Sequence, residues 1–198
     1  MRLRFFLMIT GIILLTGACS MKSYGENTQA GKYSSYSGKD TELNLTVDYP
    51  AGWSHGETRG AFGAYAELGF YEPKIKGKPL RAYITLTVTR ISKAEFAPKT
   101  LQGLVDDLTR KRLELPEAKV LSKSQEKLLG TETTDIQLSY KTPQELYSTN
   151  LTLIPMKERI VVFSRDDKFY VLRYSNTASD FDGANQLFIH YLHSLNLK

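Results

Sequence analysis

The three histidines of this chain are of a residue type that could support catalysis or metal binding. His190 and His193 are three residues apart in a segment with helical periodicity, a spacing that can place two imidazoles on one metal ion. No Glu or other third ligand is positioned beside them, so we expect surface histidines and no metal site. His55 follows Trp53 and Ser54 in an expected loop. It could join a distant Asp and Ser in a hydrolase site, but a solvated loop histidine is the simpler interpretation.

Paired carboxylates are the next candidates, and their spacing argues against catalysis. Asp106 and Asp107 are consecutive in a predicted helix, where neighbouring side chains point roughly 100° apart. Asp166 and Asp167 suit a tight turn, because Asp hydrogen-bonds its own backbone there. The sequence contains no Gly-x-Ser-x-Gly elbow, phosphate loop or dinucleotide fingerprint. We therefore predict that the protein is not an enzyme and has no catalytic or cofactor-binding residues.

The single cysteine gives the clearest chemical signal in the chain. Cys19 ends the run Leu15-Thr16-Gly17-Ala18-Cys19, which follows an apolar stretch from Phe5 and the charged residues Arg2 and Arg4. This pattern resembles the lipobox of bacterial lipoproteins, in which the signal peptide is removed and the cysteine becomes an acylated N-terminus. The resemblance implies a signal peptide over residues 1–18 and attachment to membrane lipid through acylated Cys19.

The same resemblance implies a location in the bacterial cell envelope. Ser20 follows the cysteine, and the lipoprotein rule reserves inner-membrane retention mainly for Asp at that position. In a cell with two membranes we therefore expect the outer membrane, with the protein facing the periplasm. Two alternatives stay open. One is a permanent membrane span, which needs about 20 apolar residues and is disfavoured by Ser20 and Lys22; the other is an ordinary cleaved signal that leaves a free cysteine.

The composition after residue 18 predicts a folded domain on a tether. Without residues 1–18, the 26 Lys and Arg fall to 24 against 21 acidic residues, so the net charge is +3. So small a charge gives no reason to expect nucleic-acid binding. Residues 19–41 are rich in Ser, Gly and Lys, with scattered Tyr and without apolar periodicity, which predicts a flexible tether. Residues 42–198 then form one α+β domain that is large enough to bury its own core.

Alternating and helical patterns predict the order of elements in that domain. A first helix is predicted from Leu101 to Arg112, capped by Thr100, and a second from Phe181 to Leu195, capped by Ser179 or Thr177. Strands are predicted over residues 43–49, 62–70, 83–91, 120–125, 133–140, 150–154, 160–163 and 169–174. Short connections imply antiparallel pairing, and the amphipathic helices must cover the sheet. The expected fold class is α+β: a layered α/β/α sandwich with a mostly antiparallel sheet and two covering helices.

Three local motifs and this order of elements resemble the PsbP-like family, which includes the DcrB-like envelope lipoproteins. The motifs are Tyr49-Pro50-Ala51-Gly52-Trp53, the segment from Gln125 to Thr133, and a closing helix that ends in His193-Ser194-Leu195. The resemblance covers residues 42–197. It implies a PsbP-like domain carried on a bacterial lipoprotein, with an accessory or partner-binding role. Family members share no active site, so no functional residue is carried over to this chain.

These expectations combine into one functional prediction and one alternative. We expect a membrane-anchored envelope lipoprotein whose non-catalytic domain binds a protein partner in the envelope. The alternative is a carrier or sensor of small apolar ligands, with a cavity between sheet and helix that is lined by Phe and Tyr side chains. Core packing explains those aromatic residues more simply.

Overall fold

The structure is a computed structural model that describes residues 32–38, 42–60, 64–94, 98–144 and 152–198. The expected signal peptide, Cys19 and the first part of the expected tether lie outside these residues. The elements of the described ranges are as follows: β1 (Tyr33–Ser37), β2 (Leu45–Pro50), β3 (Ser54–Arg59), β4 (Tyr65–Tyr71), β5 (Tyr83–Arg90), α1 (Leu101–Leu113), β6 (Lys119–Leu128), β7 (Thr131–Pro143), β8 (Leu153–Arg165), β9 (Lys168–Thr177), α2 (Phe181–Ser194) and β10 (Asn196–Leu197).

Seven of the strands form one large sheet in the order β3-β4-β5-β9-β8-β7-β6. Each neighbouring pair in it is antiparallel. Helix α1 lies on one face, where Val105 packs with Ile136, Ile160 and Val162 of β7 and β8. Helix α2 lies on the other face. The predicted α+β class, with helices on both faces of an antiparallel sheet, is therefore confirmed.

The α2 face is shared with a second, smaller sheet that the sequence did not predict. This sheet has the order β1-β2-β10, and its ladders are also antiparallel. The ring of Tyr49 in β2 stacks on Phe70 of β4 at 4.6 Å between centroids, and Phe70 in turn meets Tyr191 of α2 at 5.7 Å. Aromatic side chains thus fill the layer between the large sheet, the small sheet and α2.

Strand β1 corrects the predicted boundary of the tether. Residues 33–37 were expected to be part of a flexible segment, but they pair along their whole length with β2. Tyr36 is only 8% exposed, and its hydroxyl donates to Glu57 Oε1 at 2.5 Å. The backbone ladder and this one buried ring hold the strand, although its sequence lacks an apolar period. The folded domain therefore begins before residue 42.

The structure confirms one predicted helix cap and corrects the other. Thr100 caps α1 as predicted, because its Oγ1 accepts from the backbone N–H of Gly103 at 3.1 Å. The predicted caps of α2 are wrong: Asp180 occupies the N-cap and makes no side-chain capping bond. Residues 153 and 154 of the strand expected at 150–154 and the whole strand expected at 160–163 belong to the single strand β8, whereas residues 150 and 151 lie outside the described residues. Among the described residues, no helix is long and apolar enough to span a bilayer.

Candidate functional site

The three histidines do not converge on a common site. His190 stacks on Tyr33 at 3.7 Å between ring centroids, and its Nε2 lies 3.4 Å from Asp48 Oδ2. His193 is exposed and lines a cleft beside α2. Within the described ranges, no cluster of three or more His, Cys, Asp or Glu side chains could hold a metal ion.

His55 lies in strand β3, whereas the sequence suggested a loop. Its ring is 5.7 Å from those of Tyr36 and Tyr49 and 6.1 Å from that of Phe70. Its neighbours are therefore aromatic. In the part of the chain that the structure describes, no hydrogen bond joins His55 to an Asp or Ser side chain.

The two acidic pairs take part in local structure. Asp107 accepts from Arg110 Nη2 at 2.7 Å and pairs with Lys111 at 2.8 Å. Hydrogen bonds from these two cations, Lys111 first, lower the pKa of Asp107. Asp166 has a φ of 54° in the β8–β9 turn, and Asp167 accepts from the backbone N–H of Ser92 at 3.2 Å. Asp107, Asp166 and Asp167 thus each take part in local structure.

The most polar part of the interior lies under the C-terminal end of α1. Glu158 of β8 has no exposed surface and accepts two bonds from Arg112, from Nε at 2.5 Å and from Nη2 at 3.0 Å. Beside them, Tyr140 Oη lies 3.3 Å from Ser175 Oγ. Burial raises the pKa of Tyr140, and the charge of Glu158 raises it further. We call Arg112, Glu158, Tyr140, Ser175 and Tyr83 the polar cluster.

The same face of the large sheet continues beyond α1 onto β5, β4 and β3. Strand register places Tyr83 opposite Ser175 and Thr85 opposite Arg173, so these side chains share the α1 side of the sheet. No helix of the described residues packs on this half. We call this half of the sheet the open face; the residues on it include Thr58, Glu67, Gly69, Tyr71, Tyr83, Thr85, Thr87 and Arg173.

Glycine is required at one point of the open face. A Cβ placed on Gly69 would lie 2.3 Å from the Oη of Tyr71, so the tyrosine ring lies directly against the backbone of β4. The guanidinium of Arg81 is 4.8 Å from the centroid of the same ring. Glu67 accepts from Thr87 Oγ1 at 3.0 Å. The open face is thus polar, with an aromatic ring packed onto it.

A second accessible surface is the β6 edge of the large sheet. Among the described strands, β6 pairs only with β7, and nine of its ten residues are exposed. A bulge interrupts its ladder at Leu121. Leu113 of α1, Val120 and Leu121 are 47%, 41% and 45% exposed. We call these three side chains the apolar patch.

Lysine side chains accompany the apolar patch along β6. Lys123 lies opposite Ile136 in the ladder, which places it on the α1 side of the sheet with Val120. Lys127 follows four residues later on the same side. Lysines on an edge strand disfavour pairing with a second copy of the same edge. The β6 edge therefore combines exposed apolar side chains with positive charge.

The loop between β4 and β5 contains the lysines 74, 76 and 78. Lys74 and Lys76 are exposed, but Lys78 is not: its Nζ contacts Glu72 at 2.7 Å and Asp180 at 3.1 Å. Burial opposes its charge, yet the hydrogen bonds to Glu72 and Asp180 outweigh that effect and raise the pKa of Lys78. Lys78 thus connects the loop to the start of α2.

Comparison with known proteins identifies the fold. No protein-family model matches the chain, and no curated protein matches it. Among solved structures, cyanobacterial PsbP (CyanoP) from Synechocystis is similar with a TM-score of 0.55 and 14% identity over 90% of this chain and 99% of that one. PA94 from Pseudomonas aeruginosa, a protein of unknown function, gives 0.51 and 12% over 85% and 99%. The Ran-binding protein Mog1p of Saccharomyces cerevisiae gives 0.51 and 11% over 83% and 95%.

These similarities define the class to which the structure belongs: an α+β domain with the PsbP-like fold. The fold predicted from the sequence resemblance is therefore confirmed. At 11–14% identity, the likeness concerns the fold alone.

The sequence singled out no residue of the open face or of the β6 edge as part of a site. Thr85 and Thr87 were expected only as the polar side of a half-buried strand. The polar cluster was not predicted either, because the residues that meet in it come from α1, β5, β7, β8 and β9. The sequence feature that could have indicated the polar cluster is a charged residue among apolar strand residues, as at Glu158.

Proposed function

We propose that this protein is a lipid-anchored accessory protein of the bacterial cell envelope, with a non-catalytic domain that binds a second envelope protein. The observation that carries the binding role is the β6 edge, a ten-residue strand with an exposed apolar patch beside it. Exposed apolar side chains beside an accessible strand edge are a reason to expect an interaction site there.

The chemistry of the edge suggests the kind of surface that would meet it. Val120 and Leu121 offer apolar contact, whereas Lys123 and Lys127 favour acidic side chains on the partner. A strand edge also offers unpaired backbone groups to an extended segment. We therefore expect a partner that presents apolar and acidic residues together.

Cross-linking in intact cells tests this proposal. A photoreactive amino acid at Leu121 should capture a discrete protein, whereas the same amino acid at Gln186, an exposed position on α2, should not. The substitution Leu121→Asp should abolish capture from a photoreactive residue at Lys123, and Leu153→Asp, at an exposed leucine outside the patch, should leave it intact. Equal capture from Leu121 and Gln186 would count against a partner at this edge.

The anchor is supported by the lipobox resemblance at Cys19 and by the sequence resemblance to a family that includes the DcrB-like envelope lipoproteins. In this proposal the acyl chains of Cys19 hold the domain at the membrane, and the outer membrane is favoured where a cell has two. Cys19→Ala should abolish incorporation of labelled fatty acid and move the protein out of the membrane fraction. Unchanged fractionation of that variant would refute the anchor but leave the partner-binding proposal to its own test.

A further inference from the structure

The loop between β4 and β5 contains a tight turn that is held against the rest of the domain. The backbone N–H of Lys78 donates to the carbonyl oxygen of Ile75 at 3.1 Å. Gly77, between them, has a φ of 84°, a conformation that glycine adopts without strain. The contacts of Lys78 with Glu72 and Asp180 connect the turn to β4 and to the start of α2. The turn is therefore presented in a defined position.

The side chains at this turn are apolar and basic. Ile75 is 51% exposed, the largest exposed fraction among the large apolar side chains of the described residues. Lys74, Lys76 and Arg81 lie near it in the sequence and are exposed. Within the described ranges none of these three cations pairs with a carboxylate, and Arg81 packs on the ring of Tyr71. We call Ile75 and the three cations the loop tip.

A cleft opens beside the loop tip. It has a volume of about 300 Å³, a size that admits a small polar group such as a lipid headgroup. None of its lining residues is acidic, and they are Lys74, Ile75, Lys78, Pro79, Leu80 and Arg81. An anionic group that entered this cleft would therefore meet positive charge together with apolar contact.

The chain enters the described domain at the same end of the large sheet as the loop tip. The carbonyl oxygen of Lys32 accepts from the backbone N–H of Ala51 at 3.0 Å. Ser54, three residues further on, lies opposite Tyr71, the last residue of β4. Cys19 lies 13 positions before Lys32, a stretch that spans at most about 45 Å when fully extended. An anchor at Cys19 therefore keeps this end of the sheet within reach of the membrane.

We propose that the loop tip docks on an anionic bilayer surface. Ile75 enters the boundary between headgroups and acyl chains, where an apolar side chain is buried. The three cations contact the phosphate groups of the headgroups, because the negative surface potential attracts Lys and Arg near the membrane. An acidic protein would also match these charges, but the entry of the chain at the same end of the sheet favours the membrane.

The docking proposal rests on the proposed anchor, which brings this end of the sheet to the bilayer. It adds an orientation that the anchor alone does not specify. The β6 edge lies on the opposite side of the large sheet from β3, so it stays accessible to a protein partner while the loop tip contacts lipid.

Photo-cross-linking to lipid tests the proposal. The full-length protein, with a photoreactive amino acid at Ile75, is diluted from detergent into vesicles of phosphatidylcholine and radiolabelled phosphatidylglycerol. We expect it to capture at least about tenfold more phosphatidylglycerol than the same amino acid at Arg165, an exposed residue at the opposite end of the sheet. Capture from Ile75 should fall at high salt, because salt screens the charges.

Two double variants, each with the photoreactive amino acid at Ile75, make the result specific. Lys74→Gln with Lys76→Gln should lower capture at least about tenfold, since each cation near an anionic surface contributes about fivefold. Lys93→Gln with Arg165→Gln removes the same charge from exposed positions at the opposite end and should leave capture unchanged.

Three results would overturn the proposal. They are equal capture from Ile75 and Arg165, capture that the lysine substitutions leave unchanged, and capture at Ile75 of a protein in intact cells without capture of lipid in vesicles. The last result would assign the loop tip to an acidic protein partner. Lipid capture is scored whether or not Cys19 is acylated, so a failure of docking is distinguished from a failure of the anchor, which fatty-acid labelling reads separately.

Discussion

Glu158 is a carboxylate with no exposed surface, and the guanidinium of Arg112 donates two hydrogen bonds to it. A buried charge that loses its partner is strongly destabilising. We therefore expect Arg112→Ala to lower the free energy of unfolding by about 3–5 kcal/mol, as measured by denaturant titration.

Arg110, on the same helix, provides a matched control. It pairs with Asp107 and Glu114 but is 62% exposed, so solvent screens its interactions. Arg110→Ala should therefore cost much less stability than Arg112→Ala. Similar losses in the two variants would show that the buried pair has no special role.

Buried tyrosines make a prediction for alkaline solution. Burial raises the pKa of Tyr174 to about 12, and burial also raises the pKa values of Tyr83, Tyr140 and Tyr191. A tyrosine whose pKa is raised in the folded state contributes stability that is fully present below the unfolded value, about 10. That stability is lost as the pH rises through the folded value.

Unfolding measurements across this pH range test the tyrosine effect. The parent protein should lose stability steadily from about pH 10 upward. Tyr174→Phe should start less stable, because the hydroxyl donates to the carbonyl oxygen of Phe181 at 3.2 Å, but its stability should fall less steeply with pH. If the stability of the two proteins falls equally with pH, the raised pKa of Tyr174 is contradicted.

At the scale of elements, the two helices begin differently. Thr100 caps α1 through its side chain, so Thr100→Ala should cost about 1 kcal/mol. Ser179 precedes α2 and makes no bond to the helix backbone; its hydroxyl donates to Asp180 Oδ1 at 3.2 Å. Ser179→Ala should therefore change the free energy of unfolding less than Thr100→Ala in the same denaturant titration. The reverse order would mean that the capping assignment is wrong.

The elements that the sequence predicted correctly are those with strong periodicity, such as β2, β5, α1 and α2. Strand β3 was missed because every one of its residues is exposed, so no apolar period exists; its ladder with β4 holds it. Strand β1 was missed for a similar reason. Propensity and burial patterns describe side chains, whereas these strands depend on backbone pairing with a neighbour that is distant in the sequence or weakly patterned.

The candidate surfaces could not be predicted from the sequence, for a different physical reason. Thr85 alternates with apolar residues, which indicates a solvent-facing position, yet it is buried in the structure. Its partners in the ladders are Gly69 of β4, against which the Tyr71 ring lies, and Arg173 of β9. Only the sheet register brings these residues together, and register is not encoded in the local sequence around Thr85.

At the scale of the whole molecule, the start of the folded domain can be tested by truncation. A variant that begins at Lys32 retains β1, and a variant that begins at Glu42 lacks it. The shorter variant exposes the edge of β2 and loses the contact between Tyr36 and Glu57, so its melting temperature should be lower. Equal melting temperatures would restore residue 42 as the effective start of the domain.

The small sheet also has a consequence for the kinetics of folding. The backbone N–H of Asp48 donates to Ser194 Oγ, a residue 146 positions away, and β10 pairs with the same strand β2. Closing so long a loop carries an entropic cost before its contacts form, and folds dominated by such contacts fold slowly. The large sheet can form from neighbouring hairpins first, and α2 with β10 then closes over its aromatic face. Until that step, the face that carries Phe70 and Phe163 is exposed to solvent and to other chains.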